Sequence, residues 1–542
     1  MDSSEFRWTI GTASRLKCLA CGAEEKMVHR VTVPHTYRAL GDVSFYECPQ
    51  CNSLNSTGEF RDFTDFDIAN YVWDHYLQLG AGIHFMMMPI ENFPFRKGDG
   101  LLDIGCGFGF TLDYWHFVSQ GEAVGLEPSS YGDRGRSELG VNIIPKYLSE
   151  AIELRGKLFQ RIISSEVIEH VPDPRAFLCE TRSVLSPEGI IALTTPNADY
   201  VTPGNPLSVL LATLSPGLHR ILFSRKALED SMRKSGYSHV IVRASNDRIL
   251  AYGSDSPMNE TSSDDAAAHY IAYLAERSMR TAATSSLGIG LRYRLFKELL
   301  NNGQLKSARK VGHDVVEAVK LRYGFDIRDP NECIQIVRNA NTMEEYGKRA
   351  PYFLPCFLFY AGIAARQGIP LGNTSAEHLF AASATLSGEA QTFAAQFFQE
   401  AASLYWPSVF EEGFARLING DRAAAKQLFA RVVSGPQDGQ SFELFCYRDP
   451  KLVSKAIVQL GVSNLQEGRC EIAMSLFREV MDMPDEQRFP SAGSEAAELW
   501  KIALNQAAET LPDWARAASK ATPLSRMKSL ISRKVLSRKP YR

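Results

Sequence analysis

Four cysteines in two close pairs, Cys18 with Cys21 and Cys48 with Cys51, carry the clearest chemical signal in this 542-residue sequence. Two residues lie within each pair and 26 between the pairs. Four thiolates so spaced satisfy a tetrahedral zinc ion with no coordination position left open, the arrangement of a structural metal. The alternative is four unmetallated thiols in a segment with too little core to fold alone. A second candidate is the run LLDIGCGFGF, Leu101 to Phe110, in which Asp103 ends an apolar strand and Gly105, Gly107 and Gly109 turn the chain into a helix. Glycines there let the backbone take unusual φ and come close to a ligand. The dinucleotide-binding fingerprint would need glycine where Phe110 stands, and so fits poorly. Glu127 follows the next apolar run, at the distance at which an acid reaches ribose hydroxyls. A third candidate is Glu169-His170 in EHVPDP, because imidazole titrates near neutrality and can move a proton. The alternative for His170 is a capping role at the turn. His219, in SPGLHRILFS, is a further candidate imidazole.

These groups need a scaffold that brings them to one edge. From about Phe60 to Tyr252 short apolar runs alternate with amphipathic stretches, the pattern of βαβ units on a parallel sheet. Strands are expected at Gly100–Ile104, Glu122–Leu126, Arg161–Ser164, Gly189–Thr194 and His239–Ala244. That places Asp103, Glu127 and His170 at carboxyl ends of strands, the edge where open α/β sheets bind ligands. Gly253 to Ala266 is polar and breaker-rich and reads as a linker. Beyond it the chain reads as helical. Gly413, Gly420, Ala425, Phe429 and Pro436 recur, shifted by 48 positions, as Gly461, Gly468, Ala473, Phe477 and Pro484. Weaker units begin near Leu291, with Gly303 and Ala308, and near Tyr360, with Gly368, Ala376 and Phe380. The spacing resembles the tetratricopeptide helix pair, although the step exceeds that family's; a plain helical bundle is the alternative.

Taken together, residues 90 to 245 resemble the class I S-adenosylmethionine-dependent methyltransferase superfamily. The resemblance rests on LLDIGCGFGF, AVGLEPS, RIISSEVIEHVPDPRAFL, LSPEGIIALTTPN and LFSRKALEDSMRKSGY, in that order. It implies that Asp103, Gly105 and Gly107, with Gly109 completing the turn, border the methionine part of S-adenosylmethionine. Glu127 would hold the ribose hydroxyls, Tyr147 or Leu148 would lie beside the adenine, and Ser165 and Glu166 would close the pocket near the sulfonium. Cys106 receives no chemical role. The run from Glu169 to Pro174 resembles the one in ubiquinone-pathway O-methyltransferases. The cysteine module resembles those that precede the same fold in some sugar C-methyltransferases and ribosomal-RNA methyltransferases, where it helps to present the acceptor.

Composition, with 45% hydrophobic and 22% charged residues, is that of a globular protein of about three domains. A net charge of -3 argues against nucleic acid as partner. Ten cysteines in so long a chain, with no secretory leader or membrane-spanning run, point to the cytoplasm. From Trp514 to Arg542 nine basic residues and no acidic one alternate with apolar residues at helical spacing, which suits an anionic membrane surface. The expected architecture is a zinc-ribbon-like module over 1–60, a Rossmann-like α/β methyltransferase domain over 61–252, a linker over 253–285, an all-α helical repeat domain over 286–512 and a basic amphipathic tail over 513–542. The expected reaction is transfer of a methyl group to a hydroxyl, of a surface-glycan sugar or its lipid-linked precursor, or alternatively of a small molecule. A non-catalytic scaffold with a vestigial methyltransferase fold is the rival. The helical repeats are the expected site for any protein partner.

Overall fold

The computed structural model describes residues 5–8, 12–62, 64, 69–80, 89–260, 266–394, 397–436 and 446–509. The basic tail therefore lies outside the described residues. Two sheets organise the first half of the chain. The first is built from β1 (Arg7–Trp8), β2 (Ala13–Lys17), β3 (Glu24–Pro34), β4 (Asp42–Glu47) and β5 (Leu54–Thr57). The second, central sheet begins with β6 (Leu101–Ile104), β7 (Ala123–Leu126), β8 (Asn142–Ile144), β9 (Phe159–Ser165) and β10 (Leu185–Pro196). The chain then returns to the first sheet for β11 (Ile221–Leu222) before completing the second with β12 (His239–Ser245) and β13 (Arg248–Ser254).

The order of the central sheet is β12-β13-β10-β9-β6-β7-β8. Its middle strands run parallel, and β6 is buried along its whole length, as expected of a strand covered on both faces. The all-parallel expectation is corrected at one edge: β13 pairs antiparallel with both β10 and β12. Ser245 pairs with Arg248, so only Asn246 and Asp247 lie between the strands, and so tight a turn can only reverse direction. The supposed linker begins inside this strand and then holds the helix Ala266–Arg280, which packs Tyr273 edge-on against Tyr114 with centroids 5.3 Å apart.

Two other expected boundaries also move. Residues 1–60 are not a free-standing module, because β5 pairs with β11, Leu54 against Leu222 and Asn55 against Ile221. The helices after residue 286 do not all belong together. Helix Ser286–Asn301 lies so close to helix Asn70–Leu79 that a Cβ on Gly290 would sit 2.4 Å from the Leu77 carbonyl oxygen. One continuous apolar core runs from Trp73 through Tyr114 and Phe296 to Ala401. The described residues up to Tyr405, with Cys446 and Tyr447, thus form one compact unit, and Trp406–Pro436 with Arg448–Glu509 form a second.

Within the second unit the 48-residue repeat has a physical basis. Gly413 and Gly461 each lie on a helix that faces the next one in sequence. A Cβ would meet the Phe429 ring at 3.0 Å in the first pair and the Phe477 ring at 2.3 Å in the second. Both phenylalanines and both alanines of the motif are fully buried. Gly420 and Gly468 make the turns at φ of +88° and +75°, which L side chains rarely adopt. Among the described residues no helix is long and apolar enough to cross a membrane.

Candidate active site and metal centre

A cleft of about 710 Å3 opens at the carboxyl ends of β6, β7 and β9. Its floor is the glycine turn. Gly105 and Gly109 take φ of +75° and +82°, and a Cβ would lie 2.4 Å from Val167 Cγ2 or 2.8 Å from Val141 Cγ2 respectively. Gly107, at φ +52°, differs: the nearest atom to its Cβ position is the Tyr76 hydroxyl at 3.6 Å, so here the missing side chain keeps the cleft open. Glu127 follows β7 and folds back on this turn. Its Oε2 accepts the Gly107 amide and its Oε1 the Ser129 amide, both at 2.9 Å. Asp103 is buried beside it, and burial pushes its carboxyl up to about 8, with the charge of Glu127 acting in the same direction and the Thr111 hydroxyl against it. Among the described residues no lysine or arginine forms an ion pair with Asp103 or Glu127. With its carboxyl raised to about 8, Asp103 gains charge when a positively charged ligand, such as a sulfonium with an α-ammonium, binds beside it; Arg61, Lys146 and Arg220 also line the cleft.

Tyr147 and Leu148 line the same cleft, and the Tyr147 hydroxyl donates to Asp62 Oδ2 at 2.9 Å across its mouth. Ser165 closes β9, and Glu166 follows at φ +56°, its amide donating to the Thr194 carbonyl at 2.9 Å. Burial raises the Glu166 carboxyl, and Arg248, 3.5 Å away, opposes the shift.

Glu169, His170 and His219 come together beside the cleft. His170 is in the cleft wall, whereas Glu169 and His219 are buried behind it. The two rings meet edge to face with centroids 4.6 Å apart. His170 Nδ1 donates to the Leu218 carbonyl at 3.0 Å, and His219 Nδ1 to the Thr213 carbonyl at 2.8 Å. A carbonyl can only accept, so the ring proton resides on Nδ1 in both. The expectation that His170 titrates near neutrality is corrected: burial holds its pKa down to about 4, and burial lowers that of His219 as well. His170 is a neutral imidazole at pH 7. The sequence brought these three residues forward one by one; strand pairing joins them, since β11 is held against β5 and Ser56 Oγ donates to the His219 carbonyl at 2.6 Å.

Tyr76 and Tyr131 also line the cleft and belong to no motif. Both are aromatic residues on helices, and nothing in their spacing separates them from ordinary core.

The four cysteines converge. Sγ atoms of Cys18 and Cys51 are 3.5 Å apart and those of Cys21 and Cys48 are 3.7 Å apart, and all four lie within 4.8 Å of one another. Tetrahedral zinc with bonds of ~2.3 Å would set its sulfurs about 3.8 Å apart, so the set fits. The two halves are built alike. Gly22 N donates to Cys18 O and Asn52 N to Cys48 O, each at 2.9 Å, with φ of +79° at Gly22 and +59° at Asn52. Ser224 Oγ, at the start of helix Arg225–Lys234, donates to the Cys51 carbonyl, which ties the knuckle to the central domain.

Residues 73–241 match the family model described as a methyltransferase domain, so the chain carries such a domain. A ubiquinone biosynthesis O-methyltransferase from Parvibaculum lavamentivorans is 29% identical over 168 residues, which is 29% of this chain and 62% of the relative. Its counterpart from Chelativorans sp. is 30% identical over 162 residues, again 29% and 62%. The chain thus spans about three fifths of the length of these curated relatives. A solved S-adenosylmethionine-dependent methyltransferase from Archaeoglobus fulgidus overlaps 34% of this chain and 99% of its own, at 16% identity and a TM-score of 0.28.

Proposed function

We propose that this chain, whose residues 73–241 are a methyltransferase domain, moves a methyl group from S-adenosylmethionine to the hydroxyl of a small-molecule acceptor. The observation that carries the reading is Glu127, a carboxylate held by the Gly107 and Ser129 amides beside the glycine turn, with His170 in the wall of the same cleft. The donor supplies an electrophilic methyl carbon on a sulfonium. Glu127 accepts from the ribose hydroxyls while Asp103 and the turn at Gly105, Gly107 and Gly109 receive the methionine portion. Tyr147 and Leu148 flank the base, and Ser165 and Glu166 border the sulfonium. Holding the partners in line converts an encounter into an intramolecular step, which lowers the barrier by up to ~7–11 kcal/mol. His170, the member of its group in the cleft wall, meets the acceptor. The small-molecule acceptor is preferred to a glycan because the relatives named above are O-methyltransferases of ubiquinone biosynthesis.

Calorimetric titration with S-adenosylmethionine, followed by transfer of labelled methyl into fractionated small-molecule extract, tests this. Saturable donor binding with label entering an ether-soluble or phenolic fraction is expected. Absence of donor binding would favour a scaffold protein with a vestigial site.

We propose further that Cys18, Cys21, Cys48 and Cys51 hold a structural zinc ion, whose role is to fix β5 and through it the stretch that carries His219. Metal analysis should return about one zinc per chain, and Cys48→Ser should lose it and melt well below wild type, since structural zinc contributes on the order of 10 kcal/mol to small domains. Wild-type protein purified with far less than one equivalent would remove the site.

A further inference from the structure

The three basic residues that line the cleft are not alike. Arg61 pairs with Glu59 at 2.9 Å, and Lys146 pairs with Glu153. Arg220 is half-buried in the cleft wall and forms no ion pair among the described residues. Its Nε donates to the His170 carbonyl at 3.1 Å, and its guanidinium lies over the Phe60 ring, 4.4 Å from the centroid. The backbone holds it in register, since its amide donates to the Glu169 carbonyl at 2.8 Å and its carbonyl accepts from the Ser56 amide at 3.0 Å. The guanidinium is thus fixed at one nitrogen and covered on one face by an aromatic ring. Its two terminal nitrogens, which carry four N–H groups, meet no hydrogen-bond acceptor among the described residues. Carboxylates of the same wall are engaged elsewhere: Asp62 by the Tyr147 hydroxyl, Asp173 by the Ala176 amide and Glu166 by Arg248. A guanidinium cannot give up its charge, and its partial burial is costly until an opposite charge meets it.

We infer that Arg220 selects the methyl acceptor by binding a carboxylate that the acceptor carries, so that the compound methylated is a hydroxy acid. That the bound acid is the methyl acceptor rests on the methyl-transfer reading; the anion site itself does not. With Nε committed to the His170 carbonyl, the open edge of the guanidinium is its terminal fork. Two parallel N–H groups there match the two oxygens of a carboxylate. One guanidinium also balances one negative charge. A phosphate carries close to two, and the excess would fall in a cleft that already holds the carboxyls of Asp103 and Glu127. The bond to the His170 carbonyl puts the fork on the same wall as His170, so the carboxylate and the hydroxyl sit on one compact frame. Val171 and Leu218, close in sequence to these two residues, line the cleft and give that frame an apolar surface.

The test is calorimetric titration of the full-length protein, in the presence of S-adenosylhomocysteine so that no turnover occurs. The probes are the three hydroxybenzoates, their amides and the matching hydroxyphenyl phosphates. At least one acid is expected to bind saturably and about 10–100-fold more tightly than its amide, the span that a charge-assisted hydrogen bond supplies. Arg220→Gln should abolish that preference while changing the affinity for the amide little. Arg220→Lys keeps the charge but loses the fork, and should restore part of the preference. The acid-to-amide ratio decides, because a residue that only propped the wall would weaken both ligands alike. Equal affinity for acid and amide, or a preference that survives in Arg220→Gln, would overturn the inference. So would failure of every acid to bind, or a phosphate bound more tightly than its carboxylate. Titration of S-adenosylhomocysteine and S-adenosylmethionine alone keeps the two readings apart. Their binding without an acid preference sinks the anion site alone. An Arg220-dependent acid preference in protein that binds neither of them upholds the anion site and sinks methyl transfer.

Discussion

Glu127→Ala is expected to raise the dissociation constant for S-adenosylmethionine by about 10²–10³. Hydrogen bonds to a charged group contribute ~1.5–3 kcal/mol each and every 1.4 kcal/mol is tenfold, so losing two ribose contacts costs that range. The carboxylate also accepts the amides of Gly107 and Ser129, and its removal leaves both donors to water and loosens the turn that floors the cleft. Glu127→Gln keeps one acceptor oxygen and loses the charge, and should fall between alanine and wild type. Titration calorimetry measures both, with a thermal melt as control for folding. A constant within about threefold of wild type in the alanine variant would show that Glu127 does not bind the donor.

His170→Ala should abolish the other half of the reaction and spare this one. Turnover is expected to fall by about 10²–10⁴, the span over which a positioned group at the reacting oxygen acts. The donor constant should stay within about twofold, because the proposed donor contacts are made by Glu127 and the glycine turn. Single-turnover methyl transfer reads the first quantity and calorimetry the second. The competing role, a prop that holds the Leu218 loop through the Nδ1 bond, predicts a lowered melting temperature with turnover retained in the molecules that remain folded.

The donor half of the site was legible in the sequence because its chemistry is local. Asp103, the three glycines and Glu127 lie on two consecutive strand ends, and a single βαβ unit brings them together whatever else the chain does. The knuckles are legible for the same reason, since each pair is closed by its own turn. The acceptor half was legible only as separate residues. Glu169 and His219 are 50 positions apart, and their meeting depends on the Arg220 amide donating to the Glu169 carbonyl at 2.8 Å while β11 joins the first sheet beside β5, a pairing that a two-residue strand does not announce. The antiparallel edge left a signal that could have been used: Asn246-Asp247 stands between two apolar runs, the composition of a two-residue hairpin turn. The helix Ala266–Arg280 and its successors were misassigned because periodicity reveals an apolar face but not what covers it. Tyr270 and Tyr273 fall within the linker expected over 253–285 and instead pack on Tyr114 of the central domain.

The pairing of β5 with β11 also sets which parts of the molecule open together. Leu54 pairs with Leu222 and Asn55 with Ile221, three to four residues from Cys51 on one side and two to three from His219 on the other. The Ser56 amide donates to the Arg220 carbonyl and the Arg61 amide to the Gly217 carbonyl, and the ring of His35 lies where a Cβ on Gly217 would be. Amides of this stretch therefore exchange with solvent deuterium only when the knuckle sheet opens with them. Their protection is tied to the fold of the four-cysteine sheet, and the stretch that carries His219 opens with that sheet.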